Sequence, residues 1–408
     1  MNIALVHTAL WGRGGAERQL LNLAIELQKL GNYVEIFTTG VNDACYPELQ
    51  KQVNINVMRH NRFIPIVKSS SYEVGAITGY RNRIHKILAR QFYMIGLPAM
   101  LKLGKLIPKG FDIINNHNQP TQWAIFSSKK RLKTPVVWMC NEPPSWYYIK
   151  GRGIRRLFYY PLFRIYDQLS VKYIDRIVVL SHVAENMVKD AYDLPSTTVR
   201  TGLNIEKFRD VSGENIRKKH GLEHDFLLLQ VGNLSFNRQS DSIKALHYLP
   251  KNHSNRNVKL ILDGAGSTKE LKAYAEKLGL QDKVLFWHTE SDKELVQVYA
   301  SCDVFIFPQQ VTWGLAVIEA MASSKPVIVY KGCGASEIIQ DGTNGFVVDN
   351  SVEMANRISY LMENPDVCLK IGERSRDFVT ENISWTKYAL EMNQIFKDTL
   401  TLDGRLIK

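Results

Sequence analysis

The sequence lacks the features that mark several common classes of protein. Its 408 residues contain only five cysteines, none in a C-x-x-C spacing, so neither a zinc knuckle nor a disulfide framework is indicated. No uncharged apolar run approaches the roughly 20 residues that a membrane-spanning helix needs. The opening MNIALVHTAL lacks the basic and long apolar regions of a signal peptide. We therefore expect a protein of the reducing cytoplasm that holds no metal ion.

Acidic residues are scarce in the first half of the chain. Residues 1–200 hold 27 Lys and Arg against 13 Asp and Glu, whereas residues 201–408 hold 25 against 27. Such an asymmetry indicates an acidic partner for the first half, either an anionic membrane surface or nucleic acid.

Three stretches of the first half place basic residues among aromatic and aliphatic ones, at 80–110, 129–133 and 149–166. Clustered cations with interfacial aromatics hold a protein on an anionic membrane without spanning it, and this is the interpretation we favour. A solvated basic face with a buried aromatic stripe is the alternative. Nucleic acid ranks last as a partner, because no aromatic RNA-binding strand motif is present.

Short apolar runs alternate with amphipathic stretches, which is typical of βαβ units and parallel sheets. The pattern occurs twice, so we predict two α/β domains, over residues 1–200 and 201–380, followed by an amphipathic helix within 381–408. Ligands of such sheets bind at the carboxyl ends of the strands. The strands predicted in the second half are 226–232, 257–264, 283–288, 303–308, 325–330 and 345–349.

One apolar run of the second half, VTWGLAVIEA at 311–320, contains a single acid, Glu319. Thr312 is the predicted N-cap of a helix whose first turn holds Gly314 and Leu315. A helix N-terminus favours a phosphate, and a glycine lets the ligand approach the backbone closely. The carboxylate of Glu319 can accept two hydrogen bonds from vicinal hydroxyls, as on a ribose. The alternative is a solvated helix residue.

Glycine-bearing strand ends supply further candidates. A strand, a glycine turn and a polar loop occupy residues 227–241, where the guanidinium of Arg238 could clamp a diphosphate. The glycines of GAG (264–266) and CGASE (333–337) also follow predicted strands, although each is equally typical of a tight turn.

Taken in order, these motifs resemble the retaining nucleotide-sugar glycosyltransferases of family 4. The resemblance covers about residues 1–385 and implies the GT-B fold, in which two Rossmann-like domains face a central cleft. In that family the first domain binds the acceptor, the second binds the nucleotide diphosphate sugar, and a terminal helix crosses back to the first domain. The motifs are GGAE (14–17), NIEKF (204–208), VGNLSFNR (231–238), GAG (264–266), ELVQVYASCDVFIFP (294–308), WGLAVIEAMASSKPVI (313–328), CGASEII (333–339) and DGTNGFVV (341–348).

The resemblance assigns roles on the donor side. Glu319 matches the ribose-binding glutamate, and Arg238 stands where the family has a diphosphate-binding lysine. Asn233 replaces the neighbouring arginine, and Val311 replaces the glutamate that meets the donor sugar. That leaves Gln309, Gln310, Thr312 or the glycine-loop amides to contact the sugar. The donor-binding residues implied are Gly15, Gly232, Asn233, Arg238, Thr312, Trp313, Gly314, Leu315, Glu319 and Glu337.

On the acceptor side, His117 follows a predicted strand and matches the family's histidine near the transferred sugar and the attacking hydroxyl. A purely structural histidine is the alternative. Gly14, Gly15 and Glu17 match the first strand-to-helix loop of the family, near acceptor and donor phosphate, and are also compatible with a tight turn and a helix-capping acid.

A second acceptor-side loop is predicted beside the double proline of CNEPPSWYY (140–148). It carries Glu142 and Trp146, and it is suited either to shaping an acceptor pocket or to packing between domains.

The predicted reaction is the retaining, metal-independent transfer of a hexose from a UDP- or GDP-sugar to a hydroxyl of a lipid-linked, glycolipid or polysaccharide acceptor. His117, Arg238 and Glu319 are the expected catalytic residues, and no cofactor is expected. The protein would lie in the cytoplasm, peripherally on the inner face of a membrane. Two alternatives remain: an enzyme for a soluble sugar or metabolite, and a binding or scaffold subunit in which Asn233 and Val311 mark a degenerate donor site.

Overall fold

The computed structural model describes residues 1–58, 92–142, 164–250, 257–289 and 291–401, and of residues 92–97 and Lys130 it describes the backbone alone. Trp146, residues 80–91 of the first basic stretch and residues 149–163 of the third lie outside these ranges. The chain divides into two compact units. Unit 1 comprises Met1–Gly202 together with Trp385–Lys408, and unit 2 comprises Leu203–Ser384.

Unit 1 is built on a parallel sheet of seven strands in the order β3-β2-β1-β4-β5-β6-β7. This is a doubly wound order, and its winding reverses between β1 and β4, the place where such sheets bind ligands. The inner strands are buried on both faces, which explains the apolar sequences of β1 and β5, whereas the buried β4 ends in the polar residues Asn115, Asn116 and His117. The strands are β1 Asn2–His7, β2 Tyr33–Thr38, β3 Asn54–Val57, β4 Ile113–His117, β5 Val136–Met139, β6 Arg176–Val179 and β7 Thr197–Thr198.

Unit 2 repeats the plan with six parallel strands in the order β10-β9-β8-β11-β12-β13, reversing between β8 and β11. Each strand predicted for this half of the sequence is present. The strands are β8 Phe226–Val231, β9 Val258–Asp263, β10 Val284–Trp287, β11 Val304–Phe307, β12 Val327–Tyr330 and β13 Phe346–Val348.

Helices connect the strands in both units. A helical segment covers residues 164–171. The other described α-helices, in chain order, are α1 Gly15–Lys29, α2 Pro47–Gln50, α3 Phe92–Leu106, α4 Ile125–Leu132, α5 His182–Tyr192, α6 Glu214–His220, α7 Phe236–His247, α8 Lys269–Lys277, α9 Asp292–Ser301, α10 Leu315–Ala322, α11 Ser351–Glu363, α12 Pro365–Asn382 and α13 Trp385–Thr401. None of these described helices is both long and apolar enough to cross a membrane.

The last helix, α13, packs on α1 and so belongs to unit 1. Its buried Tyr388 accepts a hydrogen bond from the side-chain amide of Gln19 at 2.8 Å. A second contact joins Asn32 to Asn393 at 3.1 Å. Buried polar partners of this kind fix the helix in one register, because leaving either of them unpaired is costly.

Candidate functional site

In unit 2 the loop between β11 and α10 carries the candidate phosphate site. The helix begins at Leu315, two residues later than predicted, because its N-cap is Gly314 rather than Thr312, and Gly314 itself is not helical. The prediction of Thr312 as the N-cap was therefore wrong. Gly314 has a φ of +117°, a conformation open to glycine at little cost, and a Cβ there would lie 3.3 Å from the Cβ of Ala335. The glycine thus serves both the backbone turn and the approach of a neighbouring loop.

That neighbouring loop follows β12 and is tied to the first by two backbone hydrogen bonds. The amide of Gly334 donates to the carbonyl of Val311 at 2.8 Å, and the amide of Ala335 donates to that of Trp313 at 2.7 Å. These bonds bring Glu337, which is partly buried, to the same edge of the sheet as the N-terminus of α10. The first N–H groups of a helix have no partner within it and favour an anion.

Glu319 lies one turn inside α10 and is only 6% exposed, so the solvated alternative is excluded. The hydroxyl of Tyr299, from α9, donates to its Oε2 at 2.8 Å. A buried carboxylate that receives such a bond is held in one orientation. This partner could not be predicted from the sequence, because the two residues lie on different helices.

Arg238 lies in the first turn of α7 and its side chain is exposed. The loop before it is held by two buried glutamines. Gln239 accepts from the amide of Ser235 at 2.8 Å, and Gln230 donates to the carbonyl of Arg238 at 3.1 Å. The backbone of Arg238 is therefore anchored while its guanidinium reaches solvent. Asn233, in the same loop, is also exposed.

The glycines of GAG prove to be more than a tight turn. A Cβ on Gly264 would lie 2.0 Å from the carbonyl oxygen of Gly232, and one on Gly266 would lie 2.2 Å from that of Leu234. The loops after β8 and β9 therefore run in backbone contact, and only glycine permits that approach. The packing fixes the loop that leads to Arg238.

In unit 1, His117 ends β4 and is fully buried. Its Nε2 lies 2.7 Å from Oδ1 of Asn115, whose amide nitrogen donates to the carbonyl of Val137 at 3.1 Å. Because the Asn115 amide is oriented in this way, Nε2 of His117 carries the hydrogen. Among the described residues its Nδ1 has no hydrogen-bond partner. Burial, aided by the neighbouring His7, lowers the pKa of His117 to about 3, so the ring is neutral near pH 7.

His7 was not among the site residues predicted from the sequence, although it ends β1 much as His117 ends the adjacent β4. It is 2% exposed, and burial lowers its pKa to about 4. Its Nδ1 lies 3.0 Å from the carbonyl oxygen of Ala9, and its Nε2 lies 3.2 Å from the amide nitrogen of Asn118. Two buried neutral histidines thus stand side by side where the winding of the sheet reverses.

Gly14 is the N-cap of α1, and Gly15 is its first residue. The carbonyl of Gly14 accepts from the amide of Arg18 at 3.1 Å. Glu17, in the first turn, is partly buried, and an acid there is favourable to the helix dipole. Burial, and to a smaller extent the charge of Glu17, raises the pKa of the Cys45 thiol to about 12. The geometry is compatible with both interpretations of this loop.

Glu142 follows β5 and is exposed. The residue before it, Asn141, is buried and donates to Oε1 of Gln19 at 2.6 Å, while Gln19 donates in turn to Tyr388. The start of the predicted acceptor loop is therefore connected through α1 to the C-terminal helix. In the part of the chain that the structure describes, no group of His, Cys, Asp and Glu is arranged to hold a metal ion.

Comparison with known families matches nearly the whole chain. Residues 13–207 match the model of Glycosyltransferase Family 4, and residues 212–378 match the model of Glycosyl transferases group 1. EpsD of Bacillus subtilis (strain 168) is 30% identical over an alignment of 293 residues that covers 68% of this chain and 73% of that protein. The Alpha-1,3/1,6-mannosyltransferase ALG2 of Dictyostelium discoideum is 22% identical over an alignment of 443 positions, gaps included, that covers 97% of this chain and 98% of that protein.

Solved structures confirm the fold class. Anabaena Alr3699/HepE in complex with UDP and glucose superposes with a TM-score of 0.68 at 19% identity, covering 97% of this chain and 99% of the other. Sucrose-phosphate synthase from Thermosynechococcus elongatus gives a TM-score of 0.73 at 17% identity, covering 98% and 99%. The two Rossmann-like parallel sheets are those of the GT-B fold, as predicted.

Proposed function

Because the chain belongs to glycosyltransferase family 4 and is a glycosyltransferase of the GT-B type, we propose that it is a retaining hexosyltransferase. The donor would be a UDP- or GDP-sugar, and the acceptor a hydroxyl of a lipid-linked, glycolipid or polysaccharide substrate. The observation that carries this proposal is the buried Glu319 behind the open N-terminus of α10. The UDP and glucose bound by HepE support the donor class.

The donor would be held by unit 2. Glu319, oriented by Tyr299, accepts hydrogen bonds from the ribose hydroxyls. The amides at the start of α10 and the exposed guanidinium of Arg238 meet the diphosphate. Negative charge grows on that diphosphate as the sugar leaves, so preorganised donors lower the barrier. In the proposed reaction this stabilisation needs no metal ion.

The acceptor would bind to unit 1. Its hydroxyl attacks the same face of the sugar from which the diphosphate leaves, and the leaving phosphate oxygen takes the proton. His117 is neutral and its Nδ1 carries a lone pair, so it accepts a hydrogen bond from a sugar hydroxyl rather than donating one. Gly14, Glu17 and Glu142 complete the proposed acceptor side, together with Trp146 outside the described residues.

A basic surface of unit 1 supports a membrane-bound acceptor. Its three elements, α3, α4 and a helical segment over 164–171, are in contact: Ser127 donates to the carbonyl of Leu101 at 2.7 Å, and the ring of Phe126 lies 6.4 Å from that of Tyr166. The exposed residues are Lys102, Lys105, Leu106, Lys109, Arg131, Lys133, Arg164, Ile165, Leu169, Lys172 and Tyr173. Of the nearby acids, Asp167 and Asp175 are buried.

Cations on such a surface contribute roughly 1 kcal/mol each near an anionic leaflet, and the apolar side chains enter its interface. We expect the protein to co-sediment with anionic vesicles but not with neutral ones, and the double variant K102E/K105E to bind less. Binding should fall as salt rises, because screening weakens the attraction. Equal binding to neutral and anionic vesicles would refute the membrane proposal and favour a soluble acceptor.

The donor is tested by thermal shift with UDP, GDP and their hexose conjugates. A ligand that binds only the folded state raises the melting temperature. We expect one nucleotide series to do so and its sugar to be turned over when an acceptor is supplied. If no nucleotide or nucleotide sugar shifts the transition, the proposal of a hexosyltransferase with a UDP- or GDP-sugar donor fails, and a scaffold subunit of the same family takes its place.

A further inference from the structure

The hydrogen bonds of His7 determine which of its nitrogens carries the proton. Nδ1 lies 3.0 Å from the carbonyl oxygen of Ala9. A carbonyl oxygen can only accept, so Nδ1 must donate. The ring is buried between β1 and its neighbours and is neutral, so Nε2 presents a lone pair.

That lone pair in turn orients the amide of Asn118. Nε2 of His7 lies 3.2 Å from Nδ2 of Asn118, which must therefore donate to it. The opposite end of the amide, Oδ1, is left without a partner among the described residues, and the side chain is partly exposed. The chain of hydrogen bonds from Ala9 through His7 to Asn118 thus ends in an acceptor of fixed orientation on a partly exposed side chain.

The backbone of Asn118 is as firmly held as its side chain. Its amide donates to the carbonyl of Met139 at 2.9 Å, and its own carbonyl accepts from the indole of Trp138 at 3.3 Å and from the hydroxyl of Thr121 at 2.6 Å. Its φ of 62° lies in the left-handed region, where asparagine is more common than most residues. Backbone conformation alone would therefore explain an asparagine here, and the test must separate the two roles.

We propose that Asn118 binds a sugar hydroxyl through its Oδ1, and that His7 is the residue that positions it. This rests on the proposed function. Asn118 follows His117, whose Nδ1 is a second acceptor without a partner in the described part of the chain. Both stand at the carboxyl edge of the sheet, where β1 and β4 meet and such folds bind ligands. Oδ1 of Asn118 and the buried Nδ1 of His117 are both hydrogen-bond acceptors, which suits the hydroxyl groups of a sugar.

The test compares variants that keep the backbone with variants that break the chain of hydrogen bonds. Asn118→Gly retains the left-handed turn and removes only the amide. His7→Gln retains one donor and one acceptor, as the neutral imidazole does, whereas His7→Leu removes both. For each protein we would measure the affinity for the free nucleotide and for the nucleotide sugar by calorimetry, and kcat and KM for the acceptor.

We expect Asn118→Gly and His7→Leu to weaken the binding of either the nucleotide sugar or the acceptor about fivefold to tenfold, the usual effect of one lost hydrogen bond. His7→Gln should largely restore it, and free-nucleotide affinity should not change. A loss in nucleotide-sugar affinity assigns the hydroxyl to the donor sugar, and a rise in the KM for the acceptor assigns it to the acceptor.

If neither Asn118→Gly nor His7→Leu alters any sugar-dependent quantity, the assignment is wrong and Asn118 is a turn residue only. A wild-type chain that binds no nucleotide sugar would instead refute the proposed function, and this assignment with it. Should Asn118→Gly fail to fold, the comparison of His7→Leu with His7→Gln decides the matter. A purely structural role would lower the stability of the protein and would not weaken sugar binding selectively over nucleotide binding.

Discussion

Replacing Glu319 by glutamine should abolish the ability of the protein to distinguish ribose from deoxyribose. The carboxylate is 6% exposed, and its Oε2 receives the hydroxyl of Tyr299 at 2.8 Å. In Glu319→Gln the single amide oxygen would be taken by Tyr299, and the amide nitrogen would face the ligand. The ribose then loses at least one hydrogen bond to a charged acceptor, which contributes about 1.5–3 kcal/mol. That corresponds to roughly a 10- to 150-fold loss of nucleotide affinity.

The assay is calorimetric titration with the nucleoside diphosphate that the wild type prefers and with its 2′-deoxy analogue. The wild type should bind the analogue more weakly, and the variant should bind both equally. Tyr299→Phe is the matched control, since it leaves the carboxylate in place and removes only the group that orients it, so we expect a smaller loss. A Glu319→Gln protein that keeps the full preference for ribose would refute the role assigned to the carboxylate.

Three further results are expected. Gly264→Ala should abolish nucleotide binding, because the new Cβ would lie 2.0 Å from a backbone oxygen. Gly221→Ala, also at positive φ but with open space around it, should cost about 1–2 kcal/mol of stability and leave nucleotide binding intact. Equal nucleotide affinities of the two variants in calorimetry would contradict this. Tyr388→Phe leaves a buried amide without its acceptor and should destabilise unit 1 by about 1–3 kcal/mol, so an unchanged melting temperature would be evidence against it. Because the folded-state pKa values of His7 and His117 lie near 4 and 3, below the unfolded value of about 6.5, the unfolded chain binds more protons between these limits. Stability should therefore fall as pH drops below about 6.5, by up to about 1.4 kcal/mol per pH unit for each histidine, and melting temperatures that stay constant from pH 7 to 5 would exclude this.

Much of the fold could be predicted from the sequence, because the inner strands of a parallel sheet are buried on both faces and appear as unbroken apolar runs. Glu319 could be found for a related reason, since one acid in an apolar helix needs an explanation. The N-cap was misplaced because Thr312 has the favoured residue type, while the helix start was decided by the left-handed turn at Gly314. At this site the tertiary position of the loop, rather than the local preference of Thr312 for N-caps, determines where the helix begins.

What could not be predicted are the partners. Tyr299 and Glu319 belong to different helices, and His7 and Asn118 are 111 residues apart. Neither hydrophobic periodicity nor residue type carries information about which two polar side chains will meet, because that depends on strand order and register. The GAG glycines illustrate the same limit: the motif was visible, but the carbonyl oxygens that exclude a side chain belong to another loop.

The packing of α13 on α1 affects how the chain can be made. Unit 1 is discontinuous in sequence, and the bond between Gln19 and Tyr388 spans 369 residues. During synthesis from the N-terminus, unit 2 is complete on the ribosome before unit 1 has received its last helix. Unit 1 is therefore the first to be started and the last to be completed, and the face of α1 that packs on α13 stays uncovered until α13 has been synthesised. Truncation just before Trp385 would therefore destabilise unit 1, although its remaining residues, 1–202, lie far from the cut in sequence.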